Sequence, residues 1–146
     1  MNKTTEKKVR RALADLGIET RRGAAWLYYP DDSMIVEVWR GKPTQTWLWS
    51  MMHEVGHHML QSKRDYNRRF WRTAQTKAYV VDRVSAVQLM KEEILAWEEG
   101  LKWAKAIGVE VDQKSYDKYA SRFLMRYMES IPSAIKKNAW LRSFFS

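Results

Sequence analysis

Apolar residues recur with helical spacing along most of the chain, and this pattern predicts a mostly helical protein. The segment TTEKKVRRALADLG, residues 4–17, reads as a first helix that Thr4 or Thr5 caps and Gly17 ends. A second helical pattern runs from about Thr44 to Gln61. It has apolar residues on one side and histidines on nearly the opposite side, which predicts a helix buried on both flanks.

The second half of the chain has the same helical character. A long helix is predicted from about Ser85 to Ala106, ended by Gly108. Its apolar stripe consists of Met90, Ile94, Trp97, Leu101 and Ala104. A further helix is predicted over 113–129, after which Pro132 should break the chain before a last short helix. The polar stretch over 62–82 has no clear pattern, and we expect either a short helix or an ordered loop near the binding cleft.

One early region has a different pattern. The segments AAWLYYP and MIVEVW are rich in aromatic and β-branched residues, and PDDS between them is typical of a turn. These features predict a β-hairpin. With 146 residues, the chain has the usual length of one domain, so we expect a single α+β, mostly helical domain over 1–146.

The amino-acid composition excludes some kinds of metal site and indicates which partners the chain could bind. There is no cysteine, so disulfides and thiolate metal sites are excluded. The N-terminus has no apolar signal region and no apolar run approaches a membrane span, so we expect a cytoplasmic protein without a membrane segment. The net charge of +9 favours acidic partners such as nucleic acid, but the sequence contains no recognisable nucleic-acid-binding motif. Nucleic-acid binding, if present, should therefore be weak and nonspecific.

The segment MMHEVGHHML contains all three histidines of the chain. On a helix, His53 and His57 project from one face about one turn apart, so both imidazoles can bind one Zn²⁺ at about 2.0–2.1 Å. Glu54 lies roughly 100° round the helix and can reach a water at the metal without being a ligand, as a general base must. Gly56 has no side chain beside the face that carries the histidines, so another helix or strand could approach closely there. His58 points elsewhere, and we expect a capping, packing or supporting role for it.

The third ligand should be a carboxylate, because a catalytic zinc usually has three protein ligands and no further histidine remains. The long helix contains KEEILAWEEG, and helical projection places Glu93 at the edge of the apolar stripe beside Ala96 and Gly100. These small residues would let this helix approach the histidine helix closely. Glu93 is therefore the expected ligand and Glu92 the second choice, whereas Glu98 faces the charged side.

HEVGH on one helix followed by EEILAW on a later one resembles the gluzincin group of zinc metallopeptidases. More narrowly, the chain resembles the compact HExxH proteins of phages and mobile elements, including the ImmA/IrrE-like group. The resemblance implies a zincin-like fold with a short sheet before the active-site helix. It also implies that zinc polarises a scissile carbonyl while Glu54 passes a proton from water to the leaving amine. The expected substrate is a protein or peptide, and an edge strand of the hairpin could bind it.

Other interpretations remain open at this stage. A basic nucleic-acid-binding protein would explain the charge and the aromatic–basic segment RDYNRRFWR. A phage structural or assembly protein could keep a zincin fold without peptidase activity. Two histidines and no cysteine favour an open catalytic zinc site over a closed structural one. The oxyanion donor is undecided among Tyr66, Tyr79, Tyr116 and Tyr119.

Overall fold

The computed structural model describes residues 1–38, 40–63 and 82–145. These residues form helices and one small mixed sheet, which confirms the predicted α+β, mostly helical class. The elements in chain order are α1 (Lys3–Asp15), β1 (Glu19–Arg22), β2 (Leu27–Tyr29), β3 (Met34–Glu37), α2 (Gln45–Gln61), α3 (Arg83–Ala106) and α4 (Gln113–Phe145). Most of the predicted helix-or-loop stretch at 62–82 lies outside the described residues.

Helix α1 begins earlier than its sequence suggested. The cap is Asn2, whose side-chain oxygen accepts a hydrogen bond of 2.7 Å from the backbone N–H of Thr5. The prediction of Thr4 or Thr5 as the cap was therefore wrong, because asparagine caps a helix as well as threonine does. At the other end Gly17 has a φ of 69°, a left-handed conformation that suits glycine and ends the helix as predicted.

The sheet has the order β1-β3-β2. Strands β2 and β3 are antiparallel, which confirms the predicted hairpin with shorter strands than the sequence pattern suggested. Strand β1 pairs in parallel with β3 and was not predicted. Its sequence, Glu-Thr-Arg-Arg, has no alternation of apolar and polar residues, so the pairing itself makes this segment a strand.

A buried polar cluster joins α1, the sheet and α2. The carboxylate of Glu37 on β3 accepts two hydrogen bonds from the Arg10 guanidinium, at 2.7 and 3.0 Å. It also accepts one from the indole N–H of Trp47 at 2.7 Å. The guanidinium lies 5.0 Å from the centre of the Trp47 ring. Because a bidentate arginine compensates the buried charge, this cluster fixes the sheet against the start of α2.

Helix α3 buries only part of the predicted apolar stripe. It begins at Arg83, two residues before the predicted start, because Asp82 and Ser85 form a reciprocal capping box. Ala86, Leu89 and Ala96 are buried, whereas Ile94 in the middle of the predicted stripe is 41% exposed. The stripe was therefore partly wrong: Trp97 and Ala104 of the stripe are buried, but α3 also meets α2 through small residues such as Gly100.

Two glycines let the backbones of α2 and α3 come close together. A methyl group on Gly56 of α2 would overlap the carbonyl oxygen of Ala96, and one on Gly100 of α3 would overlap the carbonyl oxygen of Met52. Met52 of α2 lies opposite Gly100 of α3, and the later residue Gly56 lies opposite the earlier residue Ala96. The two helices are therefore antiparallel. The close approach expected from Gly56, Ala96 and Gly100 is confirmed.

Helix α4 is continuous through Pro132, so the predicted break and separate last helix were wrong. A proline inside a helix removes one hydrogen bond and crowds the preceding turn. Residues before and after Pro132 pack against α3, which favours a continuous helix. Tyr127, Ile131 and Ile135 all lie against the cluster formed by Ala86 and Leu89 of α3. Tertiary contacts therefore override the local preference of the sequence.

None of the helices in the described ranges is both long enough and apolar enough to cross a membrane.

The close contact of α2 and α3 gives a stability prediction. Gly56→Ala and Gly100→Ala should each lower the free energy of unfolding by about 1–3 kcal/mol, the usual range for overpacking. This loss should appear although alanine favours a helix over glycine by about 1 kcal/mol. Urea unfolding of the metal-free variants measures the effect. Lys91→Ala, at an exposed position of α3, is the control and should change stability by no more than about 0.5 kcal/mol. Two glycine variants as stable as the parent would contradict the close contact.

Candidate metal centre

Helix α2 presents two histidines on its inner face. His57 is buried and His53 is half-buried, and their ring centroids lie 4.6 Å apart. The four-residue spacing places both imidazoles over one strip of the helix, as predicted. The helix begins at Gln45, capped by Thr44, so this strip belongs to a regular helix of four to five turns.

Helix α3 brings a carboxylate between the two imidazoles. Oε2 of Glu93 lies 2.9 Å from Nε2 of His53, and Oε1 lies 3.7 Å from Nε2 of His57. One ligand atom from each of the three residues falls within 4.8 Å of the others, which is compact enough to hold a metal ion. The structure thus brings together His53, His57 and Glu93, the three residues that the sequence analysis chose as ligands.

The electrostatics of this group favour a positive charge between the carboxylates. Burial works to lower the pKa of His53, but hydrogen bonds with Glu54 and Glu93 and the charges of both carboxylates outweigh it and raise the pKa to about 10. Burial works to raise the pKa of Glu93, but the charge of His57 and the hydrogen bond with His53 lower it. These carboxylates would stabilise a bound cation for the same Coulombic reason.

Glu54 lies beside the group of three without belonging to it. Its carboxylate is buried, and Oε1 lies 3.4 Å from Nδ1 of His53, the nitrogen that faces away from Glu93. Glu54 is therefore adjacent to His53 and outside the group of three. The role of general base stays a prediction.

Glu92 contacts the group from another side. This carboxylate is 2% exposed, and Oε1 lies 3.3 Å from Nδ1 of His57. Burial raises its pKa, although the nearby His57 opposes the change. Glu92 does not belong to the group of three, so the structure favours Glu93 over this second choice.

The sequence analysis missed the tyrosine that lies at this centre. The hydroxyl of Tyr127 on α4 forms a hydrogen bond with the Glu93 carboxylate. Burial raises its pKa, and the charges of Glu93 and Glu54 raise it further, so this phenol interacts with both carboxylates. Helical spacing puts Tyr127 on the same face of its helix as Tyr116 and Phe123, but only the tertiary packing of α4 on α3 identifies its partner.

The tyrosines named from the sequence have other roles or lie elsewhere. The hydroxyl of Tyr116 donates to the backbone oxygen of Trp97 at 2.7 Å, and that of Tyr119 bonds to the Ser50 hydroxyl at 2.9 Å. Both are bound within the fold, which makes each a poor oxyanion donor. Tyr66 and Tyr79 lie outside the described residues.

An aromatic side chain supports the ring of His53. Trp97 of α3 stacks on it with ring centroids 4.2 Å apart and an angle of 14° between the planes. The other neighbours of Trp97 are Tyr116, Tyr119 and Phe123 of α4. The orientation of the His53 ring is therefore set by an aromatic stack that spans α2, α3 and α4.

His58 lies on another side of α2, as predicted. Its Nδ1 atom lies 2.9 Å from the hydroxyl of Tyr28 on β2, and that hydroxyl also donates to Gln61 at 2.6 Å. Burial lowers the pKa of His58. This histidine therefore fixes the sheet to the end of α2 and takes no part in the group of three.

In comparison with known proteins, the chain matches no family model, no curated protein and no solved structure.

The geometry predicts which substitutions remove zinc. His53→Ala, His57→Ala and Glu93→Ala each delete one of the three ligand atoms, so each should weaken zinc by more than the roughly 10–100-fold that the loss of an outer-shell partner costs. His58→Ala and Glu98→Ala are matched controls and should bind zinc like the parent. Competition with a chromophoric chelator measures the affinities. Full zinc occupancy in the His53→Ala protein would rule out this ligand set.

Proposed function

We propose that this chain is a zinc-dependent hydrolase of peptide bonds with a zincin-like arrangement of its α2 and α3 helices. The observation that carries the proposal is the convergence of His53, His57 and Glu93, with the carboxylate of Glu54 next to them. Two imidazole nitrogens and one carboxylate oxygen are a ligand set typical of catalytic zinc.

The chemistry of the donor set fits zinc better than the other common metals. Calcium and magnesium prefer six or more oxygen ligands, and thiolate-bound metals need cysteine, which the chain lacks. The group contains three ligand residues within the described ranges, one fewer than a closed structural zinc site requires. This count favours a site that keeps one position for water or substrate.

Zinc bound here would supply a Lewis acid that polarises a carbonyl and lowers the pKa of water. The residues of the chain would supply the remaining functions. Glu54 would take a proton from the attacking water and deliver it to the departing amine; its carboxylate lies outside the group of three, 3.4 Å from Nδ1 of His53.

An extended peptide is the substrate class that the sheet favours. Strand β2 lies at one edge of the described sheet, and Tyr28 at its centre is held to α2 through His58 and Gln61. His58 directly follows His57, so this edge lies beside the end of the helix that carries the ligands. A peptide added to β2 by backbone hydrogen bonds would therefore run beside the C-terminal part of α2, on the His58 side of the helix.

Glu54→Gln tests the reaction directly. The amide has nearly the same shape as the carboxylate but cannot accept the proton, so hydrolysis should fall on the order of 10²-fold or more. Zinc content and thermal unfolding should remain close to those of the parent. Cleavage of a peptide library, read by mass spectrometry, identifies the scissile bonds and measures the rates.

The matched control is Glu98→Gln, which makes the same chemical change on the exposed side of α3 and should leave hydrolysis unaltered. Equal turnover by the Glu54→Gln and parent proteins would exclude Glu54 as the base. A zinc-loaded parent that cleaves no peptide in the library would count against the peptidase proposal itself.

A further inference from the structure

The geometry points to Glu92 as a positioning residue that holds His57 in the tautomer and orientation needed to bind the metal. This inference rests on the proposed zinc site and assigns a function to Glu92, the glutamate that directly precedes the proposed ligand Glu93. The two nitrogens of the His57 ring have different partners: Nε2 faces Glu93, whereas Nδ1 faces Glu92.

The two carboxylates contact opposite edges of the same imidazole. Oε1 of Glu93 lies 3.7 Å from Nε2, and Oε1 of Glu92 lies 3.3 Å from Nδ1. A neutral imidazole carries its proton on one nitrogen and a lone pair on the other. If Nδ1–H donates to Glu92, the lone pair is on Nε2 and points toward His53 and Glu93, where the metal is proposed to bind.

Stability alone gives little reason for a carboxylate at position 92. Its side chain is 1% exposed, and no lysine or arginine among the described residues pairs with it. A buried carboxylate with one imidazole partner loses much of its hydration, and replacement of such pairs by apolar residues is often neutral or stabilising. A residue that lowers stability but orients a ligand is expected at a functional site.

Helix α3 explains how neighbouring residues can divide these roles. Consecutive helical side chains point about 100° apart, so two adjacent glutamates normally face different surroundings. Here the close contact of Gly56 with Ala96 brings α3 so near to α2 that Glu92 and Glu93 both reach the ring of His57. The ligand and its positioning residue therefore come from one dipeptide.

The experiment compares Glu92→Gln and Glu92→Leu with the parent, with Glu98→Gln as the control on the exposed side of α3. Zinc affinity is measured by chelator competition, so the test does not depend on peptidase activity. Glu92→Leu should weaken zinc by about 10–100-fold, the usual effect of losing an outer-shell partner. Glu92→Gln should lose less, because its amide oxygen can still accept the Nδ1–H hydrogen bond.

Two further measurements separate positioning from a structural role. Thermal unfolding of the metal-free Glu92→Leu protein should occur at the parent temperature or above it. The ring ¹⁵N shifts of His57 in the zinc-loaded parent should report a protonated Nδ1 and an unprotonated Nε2, and the Nδ1–H signal should exchange faster in Glu92→Gln. The chain has three histidines, so these signals can be assigned in the zinc-loaded parent by correlating each ring with its own backbone amide.

Zinc affinities within twofold of the parent in both variants would overturn the inference, as would a loss of zinc that only accompanies unfolding. If Glu92→Leu does not fold, the affinity and ring shifts of Glu92→Gln decide. A parent that binds zinc through His53, His57 and Glu93 while Glu92 has no effect would refute the positioning role alone. A parent that takes up no zinc would refute the proposed site together with this inference.

Discussion

The contact between the backbones of α2 and α3 is the constraint on which the rest of the structure depends. Gly56 lies against Ala96 and Gly100 against Met52, so each helix offers a glycine where the other offers a carbonyl group. The histidines are adjacent to these contacts in sequence, since His53 follows Met52 and His57 follows Gly56. Wider separation of the helices would withdraw the short carboxylates of α3 from both imidazoles.

This close approach also creates the electrostatic character of the site. Glu92 and Glu93 are adjacent and both almost fully buried, but their pKa values shift in opposite directions. Burial dominates for Glu92, whereas Glu93 faces both histidines and is stabilised as an anion. Negative charge is thus concentrated where His53 and His57 meet, which is the arrangement that a divalent cation would complement.

The parts of this structure that the sequence could predict are the ones that depend on local spacing. His53, His57 and Glu93 were identified because i, i+4 spacing and helical projection hold wherever a helix forms, and small residues beside Glu93 indicated close packing. Strand β1 and the continuous α4 were missed because a partner strand and the packing of Ile131 and Ile135 decide them. Tyr127 and the role of Glu92 depend on which atoms meet across helices, and one-dimensional spacing does not contain that information.

The residues that stabilise the fold are different from those proposed to bind zinc. The core is supplied by apolar residues such as Leu48, Met52, Val55 and Leu89, and the sheet is held to α2 by the cluster of Glu37 with Arg10 and Trp47. Neither set includes a residue of the proposed metal centre. Because the helices are fixed by backbone contact and apolar packing, the positions of the imidazoles and carboxylates are set by the fold. A site preorganised in this way loses little conformational freedom on binding, so the attraction between ligands and metal can contribute almost fully to affinity.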